Sequence, residues 1–344
     1  MKKNVLIFVL IAPLMAIILS VAKAYYYYDV WQYEGAEVVF QVLPGEGFSS
    51  INHRLDRAGL IGSTKVFYRY CQMKNLMTKF KAGHYQIPTS STMHNIIDLL
   101  LFGRPITLEL TIPEGKNFYE IAAILETHGF ISKAQDFITL ARDPDMLQQL
   151  DIPNETVEGY LYPDTYKFDP HQSPAQIMRA MVEVFRQKTK SLDYGKSSLT
   201  KAQVLIMASV VEKETGARAE RARIAGVFLN RLKKKMRLQS DPTTIYGIWD
   251  RYKGNLRKED LQETTPYNTY RINGLPKGPI CNPGLDAIRA VLTPEQHDYL
   301  YFVSQNDGTH TFSKTYSDHR QAVEHWQINS KNRDGKSWRQ MKQN

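Results

Sequence analysis

The feature of this 344-residue chain that could do chemistry is an abrupt cluster of charge, Glu212-Lys213-Glu214-Thr215-Gly216, at the end of an apolar run. Thr200 and Gln203 have the spacing of a capping box, and the helix they open reads Val204-Leu205-Ile206-Met207-Ala208-Ser209-Val210-Val211 before the charges arrive. A helix apolar on every face is buried. At about 100° per residue, Glu214 lies over Met207 and over Val210 or Val211, while Glu212 and Lys213 point elsewhere. A carboxyl so placed faces an apolar wall, where desolvation raises its pKa until it can give up a proton near neutral pH. The helix dipole opposes negative charge at a C-terminus and acts in the same direction. The plainer alternative is a solvated helix end, the commoner fate of a charge cluster taken alone.

Two loops after this helix carry amides, hydroxyls and aromatic rings: Leu238-Gln239-Ser240-Asp241-Pro242-Thr243-Thr244-Ile245-Tyr246-Gly247 and Pro266-Tyr267-Asn268-Thr269-Tyr270. A third, from Gly274 to Gly284, is stiffened by proline and glycine and contains Asn282. These are the chemical types that hold a sugar by hydrogen bonds and ring stacking. Gln239, Asp241, Tyr246, Asn268, Tyr270 and Asn282 are the candidate substrate contacts, each equally able to serve as internal scaffolding; Asp241 could simply cap a loop. Nine histidines lie scattered without HExxH spacing, no Gly-x-Ser-x-Gly elbow occurs, and Gly45-Glu46-Gly47 is too short for a phosphate loop. No metal and no cofactor are expected. A conventional glycosidase needs two carboxylates, and Asp241 or Glu212 would have to be the second.

The elements that must position these groups follow from periodicity. Val39 to Ile61 and Leu108 to Ile131 repeat one grammar, a short strand, a proline-containing turn, an amphipathic helix and a glycine stop, with Gly59 and Gly129 where a left-handed cap is needed. A weaker echo follows His84 to Pro88, where Ser90 or Ser91 would cap a helix carrying Ile96, Ile97, Leu100 and Leu101. Gly159 to Tyr166 alternates like a half-buried strand, Ser173 to about Lys188 has a helical stripe, and about Arg218 to Lys235 has another at Ile224, Val227, Phe228 and Leu232. Lys233 to Lys235 reads as a solvated face. The tail from Asn329 onward is basic and polar and is expected to fray.

At the N-terminus, Lys2 and Lys3 precede an apolar run from Val5 to Ala22 that is just long enough to span a bilayer. Tyr25 to Tyr28 with Trp31 form the aromatic cluster expected where such a helix meets the headgroups. A cleaved secretory signal is the rival, since Ala22-Lys23-Ala24 offers a small-x-small site. Either way the body from Trp31 onward is expected outside the cytoplasm. The net charge of +9 favours an anionic partner, which could be nucleic acid, anionic lipid or an acidic polymer. Export, with no zinc-finger spacing or RNP-like strand, argues against nucleic acid. Cys71 and Cys281 fall in different expected domains, so no disulfide framework is indicated.

Taken together, Met207 to Thr215, Arg237 to Gly247, Tyr267-Asn268-Thr269-Tyr270 and Gly274-Leu275-Pro276 resemble the YceG-like, or MltG-type, endolytic murein transglycosylases. Glu158 to Tyr166, Tyr299 to Val303 and His310 to Phe312 fit the same pattern. The resemblance is co-linear from the anchor to about Trp326. It implies a single N-terminal transmembrane helix, a small LysM-like α+β module and a mixed α+β catalytic domain. The corresponding ranges are 1–24 for the cytoplasmic tip and anchor, 25–37 for a juxtamembrane linker, 38–106 for the LysM-like module, 107–328 for the catalytic domain and 329–344 for the tail. The essential glutamate it implies is the second of the Glu-Lys-Glu-Thr run, here Glu214. Thr215 is similar to the serine that follows the catalytic glutamate in other lytic transglycosylases, and Gly216 is a departure, standing where other small residues are expected. The implied reaction cuts the β-1,4 bond from N-acetylmuramic acid to N-acetylglucosamine and leaves a 1,6-anhydro end. The implied location is the cytoplasmic (inner) membrane, with the N-terminus inside and the catalytic domain outside. The implied partners are peptidoglycan strands, with peptidoglycan synthases as candidates. A water-using muramidase and a non-catalytic wall-binding scaffold are the alternatives.

Overall fold

The computed structural model describes residues 2–214 and 216–329; the side chains of 2–10 and 196 lie outside that description, as does the expected fraying of residues 330–344. The fold is mixed α+β, and the chain divides into two compact units: residues up to Leu108 with Lys167–His171, and Glu109–Tyr166 with Gln172 onward.

The first unit opens with helix α1 (Lys2–Tyr25). Within the described residues, Ile11–Val30 forms a stretch long and apolar enough to cross a membrane, with mean hydropathy 1.3 and none of it buried. Strand β1 (Val38–Val42) pairs antiparallel with β2 (Gly83–Ile87), Val38 opposite Ile87 and Val42 opposite Gly83. Between them run helices α2 (Phe48–Arg57) and α3 (Thr64–Met73), and after β2 comes α4 (Met93–Phe102). The core lies where Ile51, Leu55, Phe67, Tyr85, Ile96 and Leu100 meet. Two tyrosines of the aromatic cluster are spent here: Tyr27 and Tyr28 pack on this core, and Tyr28 Oη donates to Tyr70 Oη at 2.8 Å. Helix α4 is capped by Thr92, not by Ser90 or Ser91. Thr92 has the extended backbone of an N-cap and its hydroxyl accepts the Asn95 N–H at 3.2 Å, whereas Ser90 sits in a left-handed turn (φ +61°) and the Ser91 hydroxyl donates to the Pro88 carbonyl.

Strand β3 (Leu108–Thr111) starts on the last residue of the first unit's opening run, and the second unit continues with α5 (Phe118–Thr127), α6 (Ala134–Leu140) and α7 (Pro144–Gln149). The repeated glycine stops are real. Gly59 and Gly129 adopt φ of +67° and +74°, and Leu60 and Phe130 N–H reach back to the Leu55 and Leu125 carbonyls at 2.9 Å each. Strand β4 is only Thr165–Phe168, shorter than the expected Gly159–Tyr166. The Gly159 and Leu161 N–H groups both donate to Asn282 Oδ1, and donors spent on a side chain cannot join a ladder. Gly159 is also required sterically: its φ is +89°, and a Cβ there would meet Pro279 at 2.7 Å.

Helix α8 (Pro174–Thr189) leads to α9 (Lys201–Glu214), whose start carries reciprocal Thr200 and Gln203 bonds of 3.3 and 2.9 Å. Val204, Met207, Ala208, Val210 and Val211 have no exposed surface. Packed around α9 are α10 (Arg221–Lys233), α11 (Asp241–Gly247) and, after the short α12 (Lys258–Gln262), α13 (Leu285–Leu292). A hairpin of β5 (Tyr301–Ser304) and β6 (His310–Ser313) precedes α14 (Tyr316–Val323). Thus α9 is the central post of this unit, and its C-terminal carboxylates emerge from the core.

Candidate active site

Glu214 is the last residue of α9 and keeps only partial exposure. Burial pushes its carboxyl up to about 7, and the nearby Asp241 charge adds to this. Two groups oppose the rise: the Ser240 hydroxyl, which donates to Glu214 Oε1, and the Arg231 guanidinium. Ser240 is itself buried and held by its neighbours. Its N–H donates to Thr269 Oγ1 at 3.0 Å, and its carbonyl accepts from Thr243 Oγ1 at 2.6 Å. Arg231 is tied by Nε to the Leu300 carbonyl at 2.6 Å and by Nη1 to that of Leu238 at 2.7 Å. A carboxyl poised near neutrality, with one oxygen fixed by a buried hydroxyl, can both give and take a proton.

Two cavities meet at this carboxyl. One, of about 370 Å³, is walled by Gln239, Tyr270, Tyr301 and Tyr316. The other, of about 900 Å³, runs past Lys116, Lys213, Arg218 and His310. Glu214, Asp241 and Phe302 line both. Asp241 is exposed and accepts from Tyr270 Oη at 2.7 Å. Gln239 projects from a left-handed backbone position, φ +51°. The structure therefore gathers Gln239, Asp241 and Tyr270 around Glu214.

Glu212 has a different place. One oxygen takes a 2.6 Å ion pair from the buried Arg221 and the other accepts the Gly284 N–H at 3.0 Å. Burial still raises its pKa despite Arg221. Both oxygens are thus engaged by protein groups, while the side chain also borders the larger cavity.

The remaining sequence candidates lie elsewhere. Asn268 and Asn282 are buried, and their amides bond protein groups. Asn268 accepts from Thr244 Oγ1 at 2.9 Å and donates to the Glu263 carbonyl at 2.6 Å. Asn282 accepts from Gly159 and Leu161 N–H at 2.8 Å each, and donates to Lys116 O at 2.9 Å and Glu158 Oε1 at 2.7 Å. It thereby ties three segments of chain together. Tyr246 lines a separate pocket with Tyr119 and Trp249. Ser240, Arg231 and Glu158 were missed in the sequence. Glu158 is buried, its carboxyl pushed up to about 8 mainly by burial. Among the described residues no group of three or more His, Cys, Asp or Glu is arranged to hold a metal. The only cysteines, Cys71 and Cys281, are free and buried.

Comparison with known proteins finds relatives of this chain. The model of the YceG-like family matches residues 40–325. An endolytic murein transglycosylase of Bacillus subtilis (strain 168) is 35% identical over 306 residues, covering 84% of each chain. One from Streptococcus pneumoniae (strain ATCC BAA-255 / R6) is 32% identical over 321 residues, 83% of this chain and 58% of that one. The 2.6 Å crystal structure of a YceG-like protein from Listeria monocytogenes superposes with a TM-score of 0.57 at 32% identity, covering 83% of this chain and 98% of that one.

Proposed function

Because the chain belongs to the YceG-like family, we propose that it is an endolytic murein transglycosylase with Glu214 as its single catalytic acid and base. The observation that carries this reading is the position of Glu214 where two cavities meet, with a pKa near 7. A cleft continuing on both sides of the reacting carboxyl suits a polymer cut within its length.

In the protonated state, Glu214 gives its proton to the glycosidic oxygen of the departing N-acetylglucosamine as the bond to C1 of N-acetylmuramic acid breaks. The resulting carboxylate then accepts the proton of the muramic C6 hydroxyl, whose oxygen closes on C1. One C–O bond is lost and one is formed, Glu214 ends as it began, and the product carries a 1,6-anhydro ring. The nucleophile belongs to the substrate, which is why one carboxyl suffices. Ser240 fixes the carboxyl rotamer, while Gln239 and Tyr270, with Asp241, are placed to bind the sugar flanking the bond.

The apolar helix supports an N-terminal single-pass anchor in the cytoplasmic membrane, with the enzyme on the outer side and nascent glycan strands within reach. In this reading residues 38–106 form a LysM-like module that holds glycan, and 107–328 the catalytic domain. Peptidoglycan synthases are the proposed protein partners. Full-length protein in detergent, incubated with purified sacculi, tests the reaction by mass spectrometry of the products. Internal fragments with anhydro ends are expected. Reducing ends would instead assign a hydrolase in which Asp241 directs water, and intact sacculi would leave only a binding scaffold.

A further inference from the structure

We propose that the aromatic pocket at the C-terminal end of α11 is a second carbohydrate site, holding one neutral N-acetylated pyranose of the glycan away from the bond being cut. This rests on glycan being the substrate. The cavity, of about 380 Å³, falls in the usual range for small-ligand pockets, about 300–1,000 Å³.

Its wall is a preformed platform. The Tyr119 and Trp249 rings lie nearly parallel, 21° apart with centroids at 5.6 Å, and Phe118 stacks on Tyr119 at 4.2 Å. Arg142 covers Tyr119 at 5.1 Å and also donates to its hydroxyl. Beneath, the buried Glu158 carboxyl accepts from the Phe118 N–H at 3.2 Å and from Tyr246, so the floor is held from behind. Such rings match the apolar C–H face of a pyranose.

The polar rim decides the ligand class. Arg142 and Asp250 flank the Tyr119 hydroxyl with opposite charges. Arg251 is spent on Asp260 at 2.9 Å and on Glu263. The rim therefore carries charges of both signs around one phenol, and with them the donors and acceptors that hydroxyls and an acetamide use. Position points the same way. Helix α11 starts at Asp241, in the wall of both Glu214 cavities, and ends at Gly247, in the wall of this pocket. Six residue steps at 1.5 Å make about 9 Å, a separation a chain of linked sugar rings can bridge.

The test is fluorine NMR of full-length Glu214→Gln protein in detergent, with its four tryptophans carrying a 5-fluoro label. Trp249→Phe identifies the Trp249 signal, and tri-N-acetylchitotriose is the probe. We expect that signal to shift and saturate with a midpoint on the order of 1 mM, and Arg142→Ala, with an unchanged melting curve, to weaken it at least about fivefold. A Trp249 signal that stays still throughout the titration, or one that titrates identically in Arg142→Ala, overturns the proposal. Binding is read in an inactive protein, so failure of wild-type cleavage would remove the function above without deciding this site.

Discussion

Replacing Ser240 with alanine removes the hydroxyl that donates to Glu214 Oε1, and the basic limb of the pH–rate profile should then move to higher pH. Burial drives this carboxyl up to about 7, and the Ser240 bond is the strongest influence holding it down. A hydrogen bond to a charged partner contributes about 1.5–3 kcal/mol. A hydroxyl can rotate to accept from the protonated acid, so about half of that separates the two charge states. At 1.36 kcal/mol per unit, the carboxyl should rise by about one unit. The first step consumes the protonated form, so activity falls as pH rises through this value. The variant should therefore keep its activity to a pH about one unit higher than the parent. The assay is kcat/KM on soluble glycan oligomers from about pH 5 to 9, which reports the free enzyme. A limb that stays in place, or moves to lower pH, refutes the assignment of Ser240 as the group that tunes Glu214.

Three further outcomes concern stability. Glu214 has a folded pKa of about 7 against 4.5 for the free group, so its contribution is fully present below 4.5 and lost as pH rises through 7. Glu214→Gln should therefore gain on the parent by about 2 kcal/mol between those limits, allowing for partial exposure, and melting curves at about pH 5 and 8 that show the same difference would contradict this. Asn282→Ala strands the Gly159 and Leu161 N–H groups and takes a donor from the buried Glu158 carboxyl, and should cost about 2–4 kcal/mol in denaturant titration; a loss under about 1 would mean that water replaces the amide. Arg221→Met leaves Glu212 buried without its cation and should cost about 3–5 kcal/mol, most of it recovered when Glu212→Gln is added. An additive double variant would show that the pair is not coupled.

Much of the site's frame is readable from local sequence because its determinants are local. The Thr200 and Gln203 cap, the all-apolar run of α9 and the glycine stops at Gly59 and Gly129 are set by residues within one turn of one another. The roles of Asn268 and Asn282 depend on partners far along the chain, such as Glu158 with Asn282, and side-chain type alone cannot separate a sugar-binding amide from one that ties loops. Arg221 and Arg231 did leave a signal. Both fall on the apolar stripe of α10 with Ile224 and Phe228, and a charge on a buried stripe calls for a buried partner. Ser240 left none, since a serine in a polar loop is unremarkable until Glu214 is seen beside it. The strand expected at Gly159–Tyr166 failed because alternation reports burial, while pairing also needs free backbone donors, and Asn282 had taken them.

The central claim is that the Glu214 carboxyl carries the proton in both halves of the reaction. Single-turnover cleavage of a defined glycan by full-length wild-type and Glu214→Gln proteins, matched for folding by circular dichroism, measures this directly. Loss of anhydro-ended product by about 10²–10⁴-fold in the amide variant, with glycan still bound, is the predicted result. Cleavage by Glu214→Gln at the wild-type rate would contradict the account and move the chemistry to another residue.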